Sequence, residues 1–136
     1  MKLITIISSV FIFFLLTSCK NQIIGPVDSE IVDFEIHFQN NFDNDDVLLK
    51  LDNNNIYAGK LTTDYVWSLA KAFQLQAYSG QHTLFVNLNN SYTYQERFTL
   101  TDGLYILIRY YDDDHPEWEV TKGLNIRFTN TAPIYD

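Results

Sequence analysis

The sequence predicts an all-β chain: an antiparallel β-sandwich of about seven or eight strands behind a cleaved leader. Three observations carry this expectation. Apolar and polar residues alternate with a period of two in several short stretches, clusters of Gly, Asn, Asp and Ser interrupt them, and no long segment repeats with the helical period. Turn signals about every 8 to 12 residues are the spacing of a sandwich or small barrel, and the sandwich is preferred.

The leader comes first. Met1-Lys2 precedes the uncharged run Leu3 to Leu16, LITIISSVFIFFLL, in which only Thr5, Ser8 and Ser9 are polar. A basic start and a short apolar run form a secretory leader. The run is shorter than the roughly 20 residues that span a bilayer, and the polar Lys20-Asn21-Gln22 follows almost at once. Leu16-Thr17-Ser18-Cys19 resembles the lipobox of bacterial lipoproteins. That resemblance implies cleavage between Ser18 and Cys19, a diacylglycerol thioether on Cys19, and acylation of the freed amine. It also implies attachment to the bacterial cell envelope, at the outer membrane, facing the periplasm or the surface. Some lipoproteins carry an acidic surface-export run directly after the cysteine; none follows Cys19, and by that resemblance the periplasm-facing position is favoured.

Cys19 is the one cysteine in the chain. Once it is lipidated, no thiol remains for a disulfide, a cysteine-ligated zinc or a thiolate nucleophile. Residues 20–30, KNQIIGPVDSE, carry Gly25-Pro26 and no lasting periodicity, as a flexible tether does. The expected organisation is therefore a signal peptide at 1–18, a lipidated tether at 19–30 and one β-sandwich domain at 31–136.

In IVDFEIHFQ, Val32, Phe34, Ile36 and Phe38 face one way and Asp33, Glu35, His37 and Gln39 the other. Turn residues Asn40 to Asp45 follow, then Val47, Leu49 and Leu51 alternate with Leu48, Lys50 and Asp52. A hairpin from about 31 to 52 is expected, then a turn at Asn53-Asn54-Asn55 and a third strand from Ile56 to Leu61. Residues 63–78 read two ways: DYVWSLAKAF fits a helical turn or two behind an Asp64 cap, while Phe73, Leu75 and Ala77 resume strand alternation. Ser79-Gly80 is a turn. Leu84, Val86 and Leu88 define the next strand, and turns at Asn89-Asn90-Ser91 and Thr101-Asp102-Gly103 bracket one through Phe98 and Leu100. LYILIRYY, from Leu104 to Tyr111, is apolar on both faces and is expected to be a central strand covered on both sides. Leu124, Ile126 and Phe128 form the last strand. The spacing Gly80-x-His82-x-Leu84-x-Val86 resembles a strand of immunoglobulin-like and transthyretin-like sandwiches; such folds host many functions, so none follows from it.

The full chain has 9 Lys and Arg against 17 Asp and Glu, a formal net charge of −8, and loss of Lys2 makes the mature part more negative still. Phosphate backbones and anionic lipid would be repelled, which excludes nucleic acid as a partner and fits a domain held off the membrane.

Three groups of residues are candidates for chemistry. Asp43, Asp45 and Asp46 in FDNDD, with Asp112, Asp113, Asp114 and Glu117 as a second cluster, are carboxylates at spacings that can converge on calcium, although neither loop matches the EF-hand pattern. The same residues are good turn formers on a solvated rim. Trp67, Trp118 and Tyr111, with Phe85 and Tyr92, are rings that would stack on sugars or on another protein if exposed; otherwise they are core and cross-strand partners. His37 and His82 would meet if their strands paired, with His115 in a loop. No nucleophile elbow, HExxH or glycine-rich phosphate loop is present. The expected function is non-enzymatic: an envelope lipoprotein whose sandwich binds a protein or serves in assembly. The alternative is a carbohydrate-binding lipoprotein module assisted by calcium.

Overall fold

The computed structural model describes residues 29–114 and 121–135. Cys19 with its leader, the tether up to residue 28, and His115, Glu117 and Trp118 lie outside the described residues. The chain is a β-sandwich. Its strands are β1 (Ile31–Phe38), β2 (Asp45–Leu51), β3 (Asn54–Leu61), β4 (Lys71–Tyr78), β5 (Gly80–Leu88), β6 (Tyr92–Leu100), β7 (Leu104–Tyr111) and β8 (Gly123–Thr129). One sheet has the order β4-β1-β7-β8 and the other β3-β2-β5-β6. All neighbours are antiparallel except β1 and β7, which run parallel with Ile36 opposite Ile106. This is not the immunoglobulin order, in which strands one, two, five and four share a sheet.

The alternation seen in the sequence becomes the core. Phe34, Ile36 and Phe38 of β1 meet Leu49 of β2, Leu84, Val86 and Leu88 of β5, and Ile106 and Ile108 of β7, all at most 2% exposed. β7 is central, as expected, and Leu107 on its outer side is buried too.

The expected hairpin over 31–52 does not exist. β1 pairs with β4 and β7, whereas β2 pairs with β3 and β5, so the two strands face each other across the core. Alternation states which face of a strand is buried but not which strand lies beside it. The connection itself crosses between sheets: Phe42 is fully buried, and its amide donates to the Thr63 hydroxyl, which donates in turn to the Gln39 carbonyl. The same partition separates His37, in the first sheet, from His82, in the second, so they form no pair.

Residues 64–69 form no helix. Asp64 and Leu69 close a turn with two reciprocal backbone hydrogen bonds, and the Asp64 carboxylate accepts from the Val66 amide. The strand reading of Phe73, Leu75 and Ala77 holds instead. The β2–β3 turn falls at Asp52-Asn53, one residue before the expected position, because both residues adopt the left-handed backbone that a two-residue hairpin needs.

Strand direction sorts the connections into two ends. Glu30, Asp52-Asn53, Ser79-Gly80 and Thr101 to Gly103 lie at the end where β1 begins. The linker 39–44, the turn 64–69, Asn89 to Ser91 and the segment after Tyr111 lie at the opposite, distal end.

Candidate functional site

Two regions of the surface carry chemistry. The first is the outer face of the β4-β1-β7-β8 sheet. Here the polar half of β1 is not simply solvated, because the chain after β8 returns across it and seats Tyr135 on His37, with the rings stacked at 5.7 Å. His37 and Gln39 are only 6% and 4% exposed as a result. Burying such groups is costly unless they are satisfied, and among the described residues no buried side-chain polar atom lacks a partner.

The satisfaction runs as a directed chain. Arg109 Nε donates to Gln39 Oε1 at 2.7 Å, and Gln39 Nε2 donates to the Tyr135 hydroxyl at 3.3 Å. The Tyr135 hydroxyl bonds His37 Nδ1, and His37 Nε2 reaches Glu35 Oε2 at 2.7 Å. A carboxylate only accepts, so Nε2 carries a proton toward Glu35, while Nδ1 shares the second hydrogen bond with the Tyr135 hydroxyl. A guanidinium thus ends the chain on one side and a carboxylate on the other. Burial pushes the Tyr135 hydroxyl above its ordinary pKa, against the Gln39 hydrogen bond and the Arg109 charge, which pull it down.

Beside Glu35 the same face is concave. A half-open groove of about 710 Å³ runs over β4, β1 and β7, lined by Asp33, Glu35, Gln74, Gln76, Asp102 and Tyr105. That volume is on the scale of ligand pockets. Register makes neighbours of Asp33 and Gln76, and of Glu35 with Gln74 and Tyr105. Gln76 Nε2 donates to Asp33 Oδ1 at 2.7 Å, and Tyr105 stands edge-on to His37.

The second region is the distal end, where the candidates Asp43, Asp45, Asp46, Trp67 and Tyr111 all fall. Asp45 serves the loops: Oδ2 accepts from the Asp43 amide and Oδ1 from Asn89 Nδ2. Asp46 stands 3.7 Å from Lys60. Among the described residues no three acidic or histidine side chains converge on a metal-sized site. The two acidic clusters do share a neighbour, since Tyr110 has its hydroxyl pKa raised first by burial and then by Tyr92, Asp45 and Asp112. Trp67 is 57% exposed and belongs to a larger patch with Tyr65 and Val66, at 72% and 71%. Tyr111 is half-buried at the end of β7.

The groove and the chain of hydrogen bonds were absent from the sequence candidates. One signal for them was available: Leu107 is apolar on the outward side of β7, which requires a cover over that face. Compared with protein-family models, curated proteins and solved structures, the chain matches none.

Proposed function

We propose that this chain is a lipid-anchored, non-enzymatic protein of the bacterial cell envelope whose distal end docks on a partner protein. One observation carries the reading. The exposed Tyr65-Val66-Trp67 tip stands on a braced turn at the end of the sandwich opposite Glu30, from which the tether leads back to Cys19. An eight-residue strand is about 27 Å long, so the tip is carried well away from the tether's entry.

Tyr and Trp are the residues that most often dominate binding energy at interfaces, and a turn already closed by hydrogen bonds loses little entropy on docking. Asp43, Asp46, Asp64, Asp112, Asp113 and Asp114 at the same end favour a basic partner surface with an apolar cleft for the tip. The same carboxylates are repelled by anionic lipid, which disfavours insertion of the tip into the membrane.

Photo-crosslinking tests this. With Val66→benzoylphenylalanine in the full-length chain in its native cells, one dominant protein adduct is expected, weakened about tenfold or more by Trp67→Ala and by raised salt in isolated envelopes. Adducts to lipid alone, or protein adducts indifferent to Trp67→Ala, would overturn the reading.

A further inference from the structure

We infer that the groove over β4, β1 and β7 is a second binding site, for an oligosaccharide that is neutral or bears amino groups. It lies on the side of the sandwich, apart from the distal tip, and does not depend on the docking reading above.

Period-two alternation sends Phe34 and Leu104 into the core, so the groove's outward side chains are two carboxylates from β1, two amides from β4, the Tyr105 ring from β7 and Asp102 from the turn before it. Carboxylates and amides are paired planar acceptors and donors, the groups that bond adjacent hydroxyls, and a ring supplies an apolar face for the C–H side of a sugar. Their orientation is set before any ligand arrives. Gln76 is tied to Asp33, and Glu35 is held by His37, which is bonded to Tyr135, itself held by Gln39. Gln74, next to Glu35 in register, makes no hydrogen bond among the described residues, so its amide is available to a ligand. Preorganised polar groups around an open groove keep the ordering cost of binding low.

Charge then narrows the class. Asp33, Glu35 and Asp102 line the groove with no Lys or Arg among the described lining residues, and none of the three pairs with a Lys or Arg elsewhere among the described residues. A uronic or sulfated glycan would bring like charge into the groove, whereas a neutral or amine-bearing one would not. A basic peptide shares the charge preference. Among the described residues that line the groove, however, Tyr105 is the one outward ring, a sparse anchor for a peptide.

Binding of the full-length chain in detergent micelles to an array carrying neutral, amine-bearing, uronate and sulfated glycans, with a polylysine spot, tests this. Binding to a neutral or amine-bearing glycan is expected, reduced about tenfold by Gln74→Ala or Tyr105→Ala and unchanged by Trp67→Ala, with uronate and sulfated spots blank. An array blank throughout, signal on polylysine alone, signal on acidic glycans, or glycan binding indifferent to Gln74→Ala and Tyr105→Ala would each overturn the inference. Because Trp67 lies outside the groove, loss of glycan binding and loss of the crosslink at residue 66 are separate results.

Discussion

The two sheets share one core but differ on their outer faces. On β3-β2-β5-β6 the outward contacts are short and local: Gln81 donates to Thr99, Asn87 to Thr93, and Lys50 lies 5.6 Å over the Phe85 ring. Each joins residues directly opposite one another in the strand register. On β4-β1-β7-β8 the outward polar groups are linked into a chain from Arg109 to Glu35 that closes through Tyr135, 98 residues from His37. The same alternation therefore produces a solvated surface on one sheet and a covered polar layer on the other. Residues that only decorate a sheet can be lost singly, whereas a buried hydrogen-bonded chain loses more than one bond when a link is removed.

The largest effect should follow from removing the middle link. His37→Ala deletes the partner of both Glu35 and Tyr135 and leaves a void under Tyr135, at an expected cost of about 2 kcal/mol or somewhat more, read from the urea midpoint. A loss below about 0.5 kcal/mol would mean that this face is as tolerant as the other, and the distinction between the sheets would fail.

The intermediate case is Tyr135→Phe, which keeps the stacked ring and removes the hydroxyl. The expected loss is about 1 kcal/mol at neutral pH. The variant also carries a pH signature. Burial raises the Tyr135 pKa in the folded chain, so the folded state favours the neutral phenol. The associated stability is fully present below the ordinary tyrosine value of 10.0 and is lost as pH rises through the raised folded value. Tyr135→Phe should therefore flatten part of the stability decline above about pH 10, with the remainder left to Tyr110, whose pKa is raised in the same direction. An unchanged alkaline profile would detach Tyr135 from the face.

This contrast also explains what was legible in the sequence. Phe34, Ile36, Leu49 and Val86 were readable as core because burial of one strand face follows from period two alone. Asn89 and Asn90 were readable as a turn because Asn tolerates the left-handed backbone both adopt. The partner of β1 was not readable: its pattern suits pairing with β2 equally well, and Phe42, which carries the chain between sheets, sits among turn residues. Asp33, Glu35, His37 and Gln39 looked like an ordinary wet face, and their cover arrives from beyond the last strand, where no periodicity marks Tyr135. Of the candidate sites, Trp67 was visible as a ring but its exposure was not, because the turn that lifts it depends on the Asp64–Leu69 bridge.

The smallest expected effect lies on the other sheet. Lys50→Ala removes a cation from above Phe85 and little else, since Lys50 has no salt-bridge partner among the described residues. An exposed cation–ring contact contributes about 0.5 to 1 kcal/mol, and part of it is recovered when water replaces the ammonium beside a half-exposed ring. A midpoint shift worth about 0.5 kcal/mol or less is expected, with no dependence on His37. The double variant Lys50→Ala with His37→Ala should then be additive within about 0.5 kcal/mol, because the two residues lie on outer faces of different sheets and share no partner. A larger coupling would show that the apolar core transmits strain from one outer face to the other, and the two faces would have to be treated as one unit.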